Sequence, residues 1–431
     1  MQIHIRYLQY FILCLSLIWI SACSCQDDFS SNNYRRNDTH KLERINWSQK
    51  NFEVLNQFID EYGIGGKYYS KQKPPYVVLD WDQTCVHLDT EEAVMRYQLT
   101  NFDFKLSKTQ FKELLKDSIN GVNRLSSVYH NILLRDINED LINDYSFLYD
   151  NYSGFGGKLT LDELKQTPEY KDFIVRVAFL YDGYCNTPGI EAVYGYPWVL
   201  YLFAGHTTDE IKTLSRKAID FELANTLSKP EWNSPSDLQT KSGIINYSFK
   251  SGLRVYAEMQ NLIAVLIASG IDVFVVSASY KPVVEVFSGI GNYGYNIPAE
   301  NIIAMELETD EQGKILPKYK TGWSQVQRQG KVDAINLAIK QKLRKDWDPV
   351  FSAADSDGDY EMCTSFTGTK LTLILNRIKK GDIGKLCQQA VNEKDSPNPR
   401  FILQGRNENT GLFLPCSESV LLGQTELKLL P

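Results

Sequence analysis

Five short apolar runs constrain the fold of this chain more than any other feature, because several of them stop abruptly at a polar residue. They are Tyr76-Val77-Val78-Leu79, residues 271–276, Ile302-Ile303-Ala304-Met305, residues 349–352 and Leu371-Thr372-Leu373-Ile374-Leu375. None alternates apolar with polar, so each reads as a strand buried on both faces. Helical spacing over 255–267, closed by Gly270, and over 331–343 lies between them. Strands alternating with helices predict an α/β fold with a parallel sheet flanked by helices on both sides. In such sheets ligands collect beyond the C-terminal ends of the strands, and Asp80, Ser277 and Asp355 sit there.

Residues 86–250 have another character. Helix-like stretches at 91–99, 108–119 and 208–227 dominate and convincing strands are few, so this segment reads as a large, mainly helical cap inserted after the first strand. The catalytic core is then 46–85 with 251–431. At the N-terminus, residues 7–20 form an uncharged apolar run preceded by Arg6, with the length of a secretory signal. Ile20-Ser21-Ala22-Cys23 resembles a bacterial lipobox, so residues 1–22 are expected to be a lipoprotein signal peptide and Cys23 the lipidated residue. Ordinary cleavage is the alternative. Residues 23–45 then form a flexible tether, and the expected location is the cell envelope, with a lipid anchor as the membrane contact.

Composition narrows the partners. With 46 basic and 53 acidic residues the net charge is -7, which gives no field for collecting nucleic acid. Five histidines without H-x-x-x-H spacing make a histidine-built zinc site improbable, so any metal is expected to be held by oxygen. His87 and His206 read as structural.

The chemistry begins at Asp80-Trp81-Asp82-Gln83-Thr84, two carboxylates at one strand end. Ser277 ends a second strand, Lys331 opens a helix, and Asp355-Ser356-Asp357-Gly358-Asp359 follows another strand. Converging at one sheet edge, these groups suit phosphoryl transfer. Asp80 is the candidate nucleophile and Asp82 the general acid and base. Clustered carboxylates and a phosphate dianion repel, so Mg²⁺ is expected, held by Asp80, Asp355, the Asp82 carbonyl and, beside them, Asp359. Lys331, Ser277 and Thr84 are the candidate phosphate contacts. Residues 355–366 fail as an EF-hand, since Tyr360 and Phe366 replace the required Gly and Glu, and residues 153–158 fail as a P-loop because Tyr152 replaces the first Gly.

The ordered set DWDQT, VVSAS, GKVDAI and ADSDGDYE resembles the four motifs of the haloacid dehalogenase superfamily, which implies a Rossmann-like core, a cap and the site roles given above. Within it the chain is similar to hydrolases of the phosphorylcholine phosphatase and phosphoserine phosphatase types. Asp89-Thr90-Glu91-Glu92, Gly195-Tyr196-Pro197-Trp198, Leu202-Phe203-Ala204-Gly205 and residues 401–414 resemble the former group. Gln83 departs from the usual Gly or Asn, and Ala354 from a usual Gly. The resemblance implies a small phosphorylated substrate such as phosphocholine, whose cationic head would need aromatic and acidic neighbours. Glu91, Glu92, Trp198 and Tyr196, with Tyr194 and Phe203, are the candidates. The rival expectations are phosphoserine or another small phosphomonoester and, in a different class, a surface lipoprotein that binds without turnover.

Overall fold

The structure is a computed structural model and describes residues 40–431. The signal peptide, Cys23 and most of the proposed tether lie outside the described residues. The end of that tether is already part of the packed chain. Leu42 is buried and its N–H donates to Asn56, and the Glu43 N–H donates to Asn261.

Six parallel strands form the central sheet: β1 (Tyr76–Leu79), β2 (Asp272–Tyr280), β3 (Ile302–Met305), β4 (Phe351–Ala354), β5 (Leu371–Leu375) and β6 (Phe401–Gln404), in the order β6-β5-β4-β1-β2-β3. The connections diverge on either side of β1, which opens a crevice at its C-terminal end. Sequence periodicity missed β6, and it ended β2 at Ser277. The strand runs three residues further, with its register against β3 shifting between Val276 and Tyr280.

Alternate residues of each strand face opposite layers. On one face Val77, Leu79, Val273, Val275, Phe351 and Ala353 pack against two helices, α1 (Gln49–Tyr62) and a later one at Ala257–Ala268. Ser48 caps α1 by accepting from the Asn51 N–H, and Val54, Leu55, Phe58 and Ile59 form its buried stripe. On the other face Tyr76, Val78, Phe274 and Val276 join one hydrophobic core with the inserted segment. Each fully buried Val or Leu side chain contributes about 1.5–3 kcal/mol relative to exposure.

The inserted segment is mainly helical: α2 (Thr90–Asn101), α3 (Leu134–Asn151), α4 (Pro168–Asn186), α5 (Ala192–Tyr201) and α6 (Thr208–Ala224) are its main elements. The sequence pattern had not resolved α3, α4 and α5; α5 is apolar nearly all round and α4 buries residues on most sides, Asp172 and Arg176 included, so neither shows a single apolar stripe. A Cβ on Gly195 would lie 2.5 Å from the Cys185 sulfur, so the GYPW turn of α5 approaches α4 where only glycine fits. The segment's entry and exit are pinned together, with Val86 and His87 pairing antiparallel to Val255 and Arg254. Both histidines are structural in this setting: His87 Nδ1 lies 2.9 Å from the Tyr256 hydroxyl, and His206 Nε2 lies 3.1 Å from Asp103. None of the five cysteines among the described residues is disulfide-bonded.

Candidate active site

Strand register levels the strand exits. Leu79 pairs with Val275 on one side and Ala353 on the other, and the Asp80 N–H donates to the Ala353 carbonyl at 3.0 Å. The segments that carry Asp80 and Asp355 therefore leave the sheet side by side, with Ser277 on the adjoining strand β2, which continues to Tyr280. Lys331 arrives from the first turn of a short helix spanning Gln329–Ile335. Just before it, the Arg328 N–H donates to the Gly358 carbonyl at 2.7 Å, which fixes that turn against the loop after β4.

These elements bring Asp80, Asp355 and Asp359 together, each offering a carboxylate oxygen within 4.8 Å of the others, and all three are buried. Lys331 Nζ lies 2.6 Å from Asp80 Oδ1 and 2.6 Å from Asp359 Oδ1, and also donates to the Val276 carbonyl. Thr84 donates to Asp80 Oδ2 at 2.8 Å and lies 3.1 Å from Asp355 Oδ1. Arg377, from the loop after β5, pairs with Asp355 Oδ2. Asp359 Oδ2 accepts from the N–H groups of Asp355 and Ser356, so the SDGD turn folds around the carboxylate it presents to Lys331.

Asp82 points elsewhere. Its Oδ1 accepts from the Thr90 N–H at 2.7 Å and its Oδ2 from the Ser279 hydroxyl at 2.6 Å, so its side chain is outside the carboxylate triad. Ser277 Oγ accepts from the Ser279 N–H at 3.1 Å, which leaves the Ser277 proton to donate.

Electrostatics separates the carboxylates. Burial, followed by the charge of Asp359, holds Asp80 well above the usual carboxylate range against the pull of Lys331. Burial likewise raises Asp82, opposed by its hydrogen bonds from Ser279 and Thr90. Burial works to raise Asp355 too, but the Arg377 guanidinium outweighs it and holds that carboxyl below its ordinary value. Burial opposes protonation of Lys331, yet Asp359 and Asp80 keep its ammonium above the usual lysine range. Three carboxylates with only oxygen donors fit a hard divalent cation such as Mg²⁺, and the buried cations Lys331 and Arg377 balance part of their charge.

The two departures from the motif pattern have physical settings. Gln83 adopts φ 66°, left-handed backbone that Gly or Asn adopts with least strain. It is held there by its N–H donating to the Leu88 carbonyl and by Arg406 donating to its own carbonyl at 3.2 Å. The methyl of Ala354 packs with Cys363, Ile374 and Leu386, so the extra carbon is accommodated.

The candidates for a substrate head divide. Trp198 is 1% exposed, its indole N–H donates to the Leu114 carbonyl at 3.1 Å, and its ring packs edge-on against Tyr184; it is interior packing of the inserted segment and forms no wall of the crevice. Glu91 is also committed. Its Oε2 accepts from the Tyr280 N–H at 2.8 Å, and burial pushes its carboxyl up to about 8. Phe203 is buried and stacks on Tyr280, and Tyr194 packs against Tyr184. Tyr196 and Glu92 remain partly exposed. Burial raises the Tyr196 hydroxyl, and the charges of Cys185, Asp89, Glu92 and Asp355 add to it. Asp89 belongs with them. It caps α2 by accepting from the Glu92 N–H at 2.9 Å, and burial and Asp82 hold it well above the ordinary range.

Residues 401–414 contribute Arg406, which sequence reasoning had only as part of a resembling stretch. It is fully buried, supports the Gln83 carbonyl and pairs with Glu408 at 2.7 Å. Burial tends to raise Glu408, but Arg406 and Lys250 hold it at about 2, against an ordinary 4.5. A depressed carboxylate of this kind contributes stability above pH 4.5 and loses it as the pH falls through about 2. Glu408→Gln is therefore expected to be about 3 kcal/mol less stable than the native chain near pH 6, with the gap closing toward pH 2. Urea denaturation of both proteins across that range checks this, and a gap independent of pH would refute it.

The sheet order, the insertion after β1 and the four motifs meeting at the strand exits give the chain an α/β architecture that resembles the haloacid dehalogenase type. It belongs to the same family as a conserved protein of unknown function from Anaerococcus prevotii, whose crystal structure is 30% identical and superposes with a TM-score of 0.80 over 89% of this chain and 98% of that one. The chain is also similar to phosphorylcholine phosphatase of Pseudomonas aeruginosa, 25% identical over 157 residues, which are 36% of this chain and 42% of that protein. The match thus spans less than half of that relative. A phosphoserine phosphohydrolase-like protein from Francisella tularensis aligns at 12% identity over 70% of this chain and 87% of its own, with a TM-score of 0.28, too low to bear on the site. No protein-family model matches the chain.

Proposed function

We propose that the chain is a Mg²⁺-dependent phosphomonoesterase that works through an aspartyl phosphate at Asp80. The observation that carries the reading is the buried Asp80–Asp355–Asp359 triad with Lys331 bridging two of its members. Asp80 attacks phosphorus, and the bond from phosphorus to the leaving alkoxide breaks while Asp82, whose protonated form is favoured by burial, gives that alkoxide its proton. Asp82 then takes a proton from water, the water oxygen bonds to phosphorus, and the bond to Asp80 breaks. The metal, when bound on the triad, supplies charge compensation that lets an ionised Asp80 meet a dianion. Lys331 and Ser277 hold the phosphoryl oxygens.

For the substrate we propose a small phosphomonoester with a cationic head, phosphocholine being the type. Tyr196, Asp89 and Glu92, the last paired with Arg96 at 3.3 Å, are the aromatic and acidic groups assigned to that head. The resemblance to the Pseudomonas phosphatase points the same way. The test is hydrolysis of an aryl phosphate, phosphocholine and phosphoserine by the purified protein, with Mg²⁺ and with EDTA. The expected result is EDTA-sensitive release of phosphate, faster from phosphocholine than from phosphoserine. No EDTA-sensitive release would leave a binding protein, and equal rates on the two natural esters would remove the cationic head from the proposal.

A further inference from the structure

Beside the triad stands a group of basic residues that none of the steps above uses. β5 ends at Leu375, and the next four residues are Asn376, Arg377, Ile378 and Lys379. Asn376 is buried and locks this turn: its side-chain amide donates to the carbonyls of Ser417 and Leu429 at 2.8 Å each, and its Oδ1 accepts from the Ile378 N–H at 3.0 Å. Ile378 is thereby held at φ 54°, a left-handed conformation that a β-branched residue adopts only when its surroundings enforce it. The strained residue lies between two cations, of which Arg377 reaches Asp355 at the strand exits.

Neither cation is saturated. Among the described residues Arg377 donates one hydrogen bond, to Asp355, out of the five N–H groups of a guanidinium. Lys379 forms no ion pair or hydrogen bond through its ammonium among those residues, and the charge of Arg377, followed by burial, holds it below the usual lysine range. Two like charges thus stand two residues apart in the turn after β5, Arg377 against Asp355 and Lys379 exposed beyond it. Such an arrangement is costly unless an anion joins it.

The charge balance of the crevice says which anion. Asp80, Asp355 and Asp359 face Lys331 and Arg377, and a divalent ion would leave the cluster with about one positive charge, short of what a dianion needs. An arriving phosphoryl dianion needs further positive charge, and a planar guanidinium with spare donors matches phosphate oxygens in pairs. We propose that Arg377 and Lys379 form a second anion-binding arm of the site, which takes the phosphoryl oxygens of the substrate and of the free phosphate product. Arg377 makes the direct contact. Lys379 contributes field at the rim. The inference rests on the phosphatase reading for its substrate, but binding of phosphate is separable from turnover.

The experiment measures the affinity of inorganic phosphate for the full chain by calorimetry in saturating Mg²⁺, and the affinity of Mg²⁺ alone. The variants are Arg377→Gln, Arg377→Lys and the more exposed Lys379→Glu. Phosphate affinity is expected to fall about tenfold or more in Arg377→Gln, to recover partly in Arg377→Lys, and to fall about tenfold in Lys379→Glu, whose position carries little risk to folding. Affinity for Mg²⁺ alone should hold or rise in Arg377→Gln, because Asp355 loses its competing cation. Unchanged phosphate affinity in Lys379→Glu, or weaker Mg²⁺ binding that accounts for all of the loss in Arg377→Gln, would overturn the proposal by reducing Arg377 to a support for Asp355. A native chain that binds phosphate without hydrolysing esters would defeat the phosphatase reading and leave the anion arm standing.

Discussion

Asp80→Asn is expected to abolish aryl phosphate hydrolysis, by about 10⁴-fold or more, while leaving the fold intact. A nucleophile has no substitute when an amide replaces it, and 10⁴-fold corresponds to about 5.5 kcal/mol of lost transition-state stabilisation. The structural side of the prediction is less obvious. Asp80 lies with Asp355 and Asp359 in one buried cluster, and burial together with Asp359 already disfavours its ionised form. A neutral isostere keeps the shape, can still accept from Lys331 through its single oxygen while its amide nitrogen donates to the Thr84 hydroxyl, and removes one of the clustered charges. In EDTA the variant should therefore unfold at the same urea concentration as the native chain or a higher one. Phosphate burst measurements on the native chain complete the test, since an acyl-phosphate intermediate predicts label retained on protein after acid quenching and none in Asp80→Asn. Retained activity in the variant would transfer the nucleophile's role elsewhere and end the mechanism proposed for this site.

How much of this was legible beforehand depends on the kind of signal. The strands β1, β3 and β5 were readable because each is a short apolar run bounded by a polar residue, and burial on both faces of a parallel sheet demands that pattern. β6 was not, since FILQ ends in a glutamine whose buried amide donates to main-chain carbonyls, a contact invisible to periodicity. The triad could be anticipated because Asp80 and Asp355 follow strand ends directly and Asp359 closes the acidic turn after the second of them, so that strand register decides their spacing. Arg377 and Lys379 could not, because nothing near them in sequence marks them apart from other surface cations; their position follows from the Asn376 lock and the neighbouring order of β4 and β5. Trp198 shows the reverse error. An aromatic residue in a resembling motif suggested a substrate wall, while its indole nitrogen was already committed to a main-chain carbonyl in the interior. Residue type carries the chemistry, but exposure decides whether the chemistry faces a ligand.

Lys331→Met should have the largest effect on stability of any single change at the site. Lys331 is 1% exposed and its ammonium contacts Asp80, Asp359 and the Val276 carbonyl. Removing a partner from a buried ion pair strands the opposite charge in a poorly solvated place, which typically costs about 3–5 kcal/mol. Methionine fills most of the volume, so the loss reports charge and hydrogen bonding more than a cavity. The sign of the pH dependence follows from Asp80, whose folded-state carboxyl is already raised and rises further without Lys331. A raised acid leaves stability intact below its unfolded value, about 3.9, and erodes it as pH climbs through the folded value. In EDTA the deficit of Lys331→Met should therefore be larger at pH 8 than at pH 5, as read from urea midpoints of variant and native chain. Mg²⁺ should narrow it at pH 8 by supplying the missing positive charge. A deficit that is the same at both pH values, or that Mg²⁺ does not touch, would mean that Lys331 supports the site by packing alone, and the electrostatic account of the triad would fall with it.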